Sequence, residues 1–321
     1  MKKIPLIALS VLCFTACQKS GDDVVLSQIY VHKYGFETTG KEWEEREQDG
    51  QIITQFTDGV KISRTYENGQ LHGPTTYTFP FSQVTEKLEI YDQGTLLKKS
   101  QNDFSGMPIQ EEVFEFDNRR QITFWDDKGA PLSIEEYEED QLVEGKYFNA
   151  DHELESTVEL GFGKRVNRDH AGFLLSREGI ENGRVVSRTI YHPNGQVHTI
   201  SHYEKDQLHG QQQKFSASGQ PLLELTWDHD VLHGIKTVYR NGHKIATIPY
   251  IQGEKHGKES HFDDLQNLVA EIEWSHDQKH GFTKLYSEEG QEVSWFYKGQ
   301  HVSEEKFQVL HAREKAMADI H

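Results

Sequence analysis

The chain has 321 residues and is strongly acidic, with 34 Lys and Arg against 52 Asp and Glu and a formal net charge of −18. This charge argues against binding to nucleic acid, whose phosphates need basic patches, and against adsorption to an anionic bilayer. Hydrophobic residues make up only 35%, against about 45–50% in an average globular chain, so we expect a modest core. Five Trp, 13 Tyr and 17 Phe are too many for a disordered chain.

The first 16 residues predict an export signal. Lys2 and Lys3 give a positive start, and a mostly apolar run follows from Ile4 to Phe14. The run is too short to span a bilayer, and small residues follow it, which is typical of a cleaved signal peptide.

The segment from Phe14 to Cys17 (Phe-Thr-Ala-Cys) resembles the lipobox of bacterial lipoproteins. The resemblance implies cleavage before Cys17, acylation of that residue with chains such as palmitate, and a lipidated tether over residues 17–25. Gln18, rather than Asp, after the cysteine favours the outer over the inner membrane of a Gram-negative envelope. The alternative is an ordinary secretory signal with a chance cysteine.

A short motif recurs through the chain. The sequence Asn-Gly-Gln-Leu-His-Gly runs from Asn68 to Gly73, and its ending returns four more times as Leu-His-Gly or Lys-His-Gly. The closing glycines are Gly73, Gly210, Gly234, Gly257 and Gly281. The last four are separated by 24, 23 and 24 residues. A fixed period of this size indicates an array of small supersecondary units.

Each unit reads as an aromatic strand, a Gly turn, a second aromatic strand and a second turn. Only seven or eight residues separate the turns, which suits a strand and is too short for a strand plus a helix. We therefore predict an all-β fold, an extended antiparallel β-hairpin repeat array in a single elongated sheet. The repeats occupy residues 26–302 and are irregular at about 160–180, where the break is either an insert or a junction between two stacks.

Two rows of aromatic side chains follow from the repeat. The first contains Phe215, Tyr239, Phe262 and Tyr286, and the second contains Trp227, Tyr250 and Trp274. The rows form the core that locks hairpin to hairpin, or, where one faces solvent, a strip that contacts protein or glycan. The candidate binding aromatics are Phe215, Tyr239, Phe262, Tyr286, Trp227 and Trp274.

Residues 303–321 predict a short C-terminal helix. Ser303 suits the cap position, with acidic residues next to it in the first turn. Phe307, Leu310 and Met317 form one apolar stripe on such a helix. We expect the helix to cover the last strand, because an open sheet edge invites aggregation.

The stretch from Asn68 to Gly73 closely resembles the Asn-Gly-Lys-x-His-Gly core of MORN repeats, and the period resembles the MORN-repeat-variant family of bacteria. The resemblance is strong from Val186 to Gln300 and weaker from Gly50 to Gly145. It implies antiparallel hairpins laid side by side and no catalytic residues. Some members of this family carry the label of antitoxin, whereas this chain begins with an export signal.

Eighteen histidines raise the question of a metal site. Five recur once per unit, at His72, His209, His233, His256 and His280. Because a unit is two strands, equivalent imidazoles lie roughly 10 Å apart, whereas ligands of one zinc lie within about 4 Å of each other. Equivalent histidines therefore do not share a metal ion. We expect no metal or cofactor, and interpret these residues as turn and edge histidines that hydrogen-bond to the backbone.

Other candidate sites are weaker. The acidic runs at 135–136 and 138–140 lack the spacing of a calcium loop, and we interpret them as a charged, solvated strand face. Ser176, Ser187 and Ser201 lack the Gly-x-Ser-x-Gly context of a nucleophile. The stretch 161–165 (Gly-Phe-Gly-Lys-Arg) lacks the spacing of a phosphate loop. We expect no enzymatic activity.

The sequence thus predicts a non-enzymatic, lipid-anchored protein of the cell envelope. Its expected role is a repeat scaffold or protein-binding surface, with a protein partner, membrane contact through the lipid on Cys17, and no nucleic acid. The alternative is an antitoxin-like neutraliser of a protein toxin.

Overall fold

The computed structural model describes residues 24–45, 48–115 and 117–318. The predicted signal peptide, Cys17 and most of the tether lie outside these residues. Within the described ranges, no helix combines the length and the apolar character that crossing a bilayer requires. Internal contacts divide the chain into two units, residues 1–129 and 130–321.

The first unit is an antiparallel sheet in which successive strands pair as hairpins, while β1 pairs with both β2 and β3. Its elements are β1 (Val25–His32), β2 (Glu37–Thr38), α1 (Gly40–Glu45), β3 (Gly50–Phe56), β4 (Lys61–Glu67), β5 (Gln70–Thr78), β6 (Thr85–Asp92), β7 (Thr95–Asn102), β8 (Pro108–Phe114) and β9 (Arg119–Trp125). The repeat pattern does not predict α1. Thr39 and Glu42 cap this helix reciprocally, and Trp43 is buried against Tyr30 and Tyr66.

The second unit continues the same hairpin order and ends in a helix. Its elements are β10 (Pro131–Glu138), β11 (Gln141–Phe148), β12 (Leu154–Glu159), β13 (Phe162–Arg168), β14 (Leu174–Glu181), β15 (Arg184–Tyr191), β16 (Val197–Glu204), β17 (Gln207–Leu208), β18 (Gly210–Phe215), β19 (Pro221–Asp228), β20 (Val231–Leu232), β21 (Gly234–Arg240), β22 (His243–Ile251), β23 (Glu254–Lys255), β24 (Gly257–Phe262), β25 (Leu268–Ser275), β26 (Gln278–Ser287), β27 (Gly290–Tyr297), β28 (Gln300–Val302) and α2 (Glu304–Ala318). The predicted fold class, an all-β antiparallel hairpin array with a short C-terminal helix, is confirmed.

Burial in this fold is unusually polar. Among the described residues, buried polar and charged side chains are about as numerous as buried hydrophobic ones. Glu112 and Glu135 retain only 3% and 1% of their exposure. Buried carboxylates are stable only when they are paired or hydrogen-bonded, so cross-strand polar pairs replace part of the hydrophobic core.

The irregular stretch predicted at about 160–180 corresponds to a change in strand pairing. β12 and β13 pair at only two positions, Val158 with Gly163 and Glu159 with Phe162. Gly163 has φ +147°, and a Cβ atom there would lie 2.2 Å from the Thr157 carbonyl oxygen, so only glycine permits this close approach. Here the structure has its hydrophobic cluster, formed by Leu142, Tyr147, Val158, Val166 and Ile180.

Candidate functional site

The two faces of the regular repeats differ in chemistry. The cross-strand register places one row on a face that we name the glutamate face: Glu224, Thr237, Thr247, Ser260, Glu271, Lys284 and Val293. The row beside it points to the opposite, aliphatic face: Leu223, Val238, Ala246, His261, Ala270 and Leu285. Ala246 and Ala270 are buried, as are Leu225 and Ile248, which alternate with the members of this second row. The aliphatic face is therefore the more buried one.

The two predicted aromatic rows lie on opposite faces. Tyr239 donates a hydrogen bond of 2.9 Å to Glu224, and Tyr286 donates one of 2.8 Å to Glu271, which places both rings on the glutamate face. Trp227 and Trp274 alternate with the neighbours of Glu224 and Glu271 and lie on the aliphatic face. All six candidate aromatics are half-buried, so they serve both as cross-strand packing and as accessible surface: Phe215, Tyr239, Phe262, Tyr286, Trp227 and Trp274.

The tyrosine–glutamate pair recurs in both units, and sequence reasoning missed it. Tyr77 and Tyr91 each donate to Glu89 over 3.1 Å, and Tyr137 donates to Glu135 over 2.7 Å. Burial, together with the nearby carboxylate, raises the pKa of Tyr91 to about 12. The signal was available, because Glu89, Glu112 and Glu135 follow one another at intervals of 23 residues.

The acidic runs are only partly a solvated face. Glu136 and the run 138–140 are exposed, as expected, but the interpretation is wrong for Glu135. Arg165 binds this carboxylate through two nitrogens at 2.7 and 2.9 Å. Arg165 also lies 3.6 Å from Glu178, which Arg188 holds at 2.5 Å. The paired charges explain how these carboxylates remain buried.

The five repeat glycines lie at or just after the turns, at the start of or within β5, β18, β21, β24 and β26. Their φ angles are all positive: Gly73 +80°, Gly210 +86°, Gly234 +100°, Gly257 +103° and Gly281 +116°. At Gly234 an added Cβ atom would also meet Thr226 at 3.2 Å. The backbone therefore requires glycine at the end of the His-Gly motif.

The motif histidines face carboxylates, which the sequence argument did not predict. His72 lies 3.2 Å from both Glu67 and Asp92. His209 lies 3.7 Å from Glu204 and 3.4 Å from Asp228. The expected hydrogen bonds from a histidine side chain to a backbone carbonyl occur at other positions, such as His202 and His192.

The helix α2 packs on the glutamate face. Trp295 alternates with Val293 along β27, and its ring lies 5.1 Å from that of Phe307, which is 6% exposed. The backbone N–H of Lys306 donates to the hydroxyl of Ser303 over 3.3 Å, so the predicted cap is present. Met317 is 59% exposed, and its place in the predicted apolar stripe is wrong. His311 and Glu314 follow Phe307 on the buried side instead.

A cavity of about 830 Å³ lies where α2 meets the last hairpins. His280 projects into it from β26, and burial lowers the pKa of this imidazole, although Glu314 acts in the opposite direction. The ring lies 5.4 Å from Phe307 and 5.6 Å from His311. The helix thus completes a polar pocket that the repeats alone do not form.

No known family model and no curated protein matches this chain. The fold defines only a class, that of proteins built from repeated antiparallel β-hairpins.

Proposed function

We propose that this protein is a non-enzymatic repeat scaffold of the bacterial cell envelope, anchored by lipid on Cys17, and that it binds a protein partner through its glutamate face. The address rests on the signal-like start and on the resemblance of the segment from Phe14 to Cys17 to a lipobox. The role of scaffold rests on the hairpin array and on the resemblance to MORN-repeat variants.

One observation supports the glutamate face as the binding surface: this face already accepts a helix. The ring of Phe307 on α2 packs against Trp295 and Tyr297 at 5.1 and 6.4 Å. Farther along the same face, Leu222 and Ile235 remain 43% and 57% exposed. Large aliphatic side chains left exposed beside aromatic rings are typical of protein-binding surfaces.

The charges of the face favour a basic amphipathic partner. Glu224 and Glu271 receive tyrosine hydroxyls, and both remain only half-buried. The whole chain carries a formal charge of −18. A helix that presents an apolar side chain flanked by lysine or arginine complements this surface, and long-range attraction accelerates such an encounter.

The address is tested by membrane fractionation with fatty-acid labelling of the wild type and of Cys17→Ser. We expect labelled wild-type protein in the envelope fraction, with label and anchoring both lost in the variant. Unlabelled, uncleaved protein in the cytosol for both would contradict the lipoprotein proposal. It would favour the antitoxin-like alternative.

The binding face is tested by photo-crosslinking in cells, with a photoreactive amino acid at Ile235 or, as a matched control, at Leu285. Both side chains are about half exposed, but they lie on opposite faces. We expect a discrete crosslinked protein from position 235 and none from position 285. Equal crosslinking at both positions, or none at position 235, would contradict the choice of face.

A further inference from the structure

The cavity beneath α2 is rich in side chains that bind transition metals. Its lining includes His256, His276, His280, His311 and Glu314. The spacing argument excludes a shared metal only for histidines at equivalent positions of the repeat, roughly 10 Å apart. His280 on β26 and His311 on α2 are not equivalent positions, so that argument does not apply to them.

We infer that His280, His311 and Glu314 form a binding site for a zinc ion that joins α2 to the sheet. The Nε2 atom of His280 lies 3.5 Å from Nδ1 of His311 and 3.8 Å from Oε2 of Glu314. One donor atom from each of the three residues lies within 4.8 Å of the others. Tetrahedral zinc with bonds of about 2.0–2.1 Å holds its ligands about 3.3 Å apart. A contraction of well under 1 Å therefore brings the three donors to a common ion.

Packing holds the two imidazoles in place. The side chain of His280 is 13% exposed. Phe307 meets this ring edge-on, with centroids 5.4 Å apart, and stacks on His311 at 5.3 Å with an interplanar angle of 12°. Phe307, His311 and Glu314 follow one another by four and three residues, which places them on one side of the helix. The metal ligands thus come from two rigid elements.

The carboxylate is also oriented. Lys298 binds Oε1 of Glu314 over 2.8 Å, while Oε2 of the same carboxylate faces His280. Outer contacts of this kind fix the direction of a metal-binding carboxylate. Nδ1 of His280 lies 3.4 Å from the backbone nitrogen of Lys298. This long contact opens when a metal binds Nε2, because the neutral ring then carries its proton on Nδ1.

The donor set selects the class of ion. Two imidazoles and one carboxylate suit Zn²⁺, and three protein ligands leave a fourth position that opens towards the cavity. Calcium and magnesium prefer sites made of oxygen ligands. The ion links a strand to a helix, so it is expected to hold α2 on the glutamate face. This inference goes beyond the scaffold role and does not depend on it.

The test is isothermal titration of the purified, chelator-treated full-length protein with Zn²⁺ alone. We compare the wild type with His311→Ala and with His209→Ala. His209 is the matched control because it lies in the second cluster of potential ligands, with Glu204 and His229. We expect one site in the wild type, unchanged in His209→Ala. His311→Ala is expected to weaken it by more than about 100-fold, since loss of outer partners alone weakens metal sites by about 10–100-fold.

Hydrogen exchange supplies the second readout. Zn²⁺ is expected to slow exchange of the α2 amides in the wild type and not in His311→Ala, because only a bridged site ties the helix to the sheet. The inference is overturned if the wild type binds no zinc, if His311→Ala binds as tightly as the wild type, or if binding is lost in His209→Ala instead. Binding without slower exchange in α2 would overturn the bridging role.

Discussion

Two regions of the second unit solve the same packing problem differently. In the irregular region, β10 to β14, side chains meet across several strands: Arg165 on β13 reaches Glu135 on β10. In the regular repeats, contacts join adjacent hairpin strands, as Tyr286 on β26 joins Glu271 on β25. The first region encloses fully buried side chains such as Tyr147, whereas the rings of the second are half-buried.

The difference predicts how stability is distributed. When each repeat contacts only its neighbours, stability is approximately a sum of local terms, and a lost contact is felt locally. When side chains converge from several strands, one substitution removes many contacts at once. Substitutions in the region of β10 to β14 should therefore have larger effects than chemically similar ones in β18 to β27.

The largest effect is expected for Arg165→Met. The arginine is the shared partner of Glu135 and Glu178, both 1% exposed, and its loss leaves buried carboxylates without their main counter-charge. Breaking a buried ion pair from one side typically costs about 3–5 kcal/mol. Chemical denaturation should show this loss, and hydrogen exchange should place it in residues 131–181.

Arg184→Met is the matched control for Arg165→Met. Arg184 pairs with Asp206 at 2.7 Å, but the two side chains are 48% and 64% exposed. Exposed pairs contribute about 0–1 kcal/mol, so stability should hardly change. Equal effects of the two substitutions would show that the buried network does not stabilise the irregular region.

A somewhat smaller effect is expected for Leu142→Ala in the hydrophobic cluster. The side chain is 3% exposed and packs with Val158 and Ile180. Such truncations cost about 2–5 kcal/mol, because they lose transfer free energy and leave a cavity. Leu222→Ala, at a side chain 43% exposed in the regular repeats, should cost well under half as much. Denaturation midpoints at constant slope decide the comparison.

The sequence predicted the regular region better than the irregular one, for a physical reason. The period, the Gly turns and the terminal helix are local features, and each is written in adjacent residues. The pairing of Arg165 with Glu135 joins residues 30 positions apart, and no local pattern indicates it. The same limit explains why Glu135 was interpreted as solvated.

The candidate site shows the same boundary. The sequence identified the half-buried aromatic residues but not their distribution over two faces, because the strand bulges alter a strict alternation. It placed Phe307 on the buried side of α2 but also Met317, which is exposed. The meeting of His280 with His311 depends on how the helix docks, and the sequence pattern alone does not fix that docking.

The smallest effect is expected for Tyr239→Phe in the regular repeats. Loss of the hydrogen bond to Glu224 on a half-buried surface should cost about 1 kcal/mol or less near neutral pH. Burial and the Glu224 carboxylate raise the pKa of Tyr239 to about 12, above its ordinary value of 10.0. A folded-state pKa above the unfolded value contributes stability at lower pH that is lost as the tyrosine ionises. The wild-type advantage over Tyr239→Phe should therefore be complete below about pH 10 and shrink towards pH 12. Urea unfolding of both proteins across this range measures it, and a difference that stays constant with pH would show that the tyrosine ionises as it does in the unfolded chain.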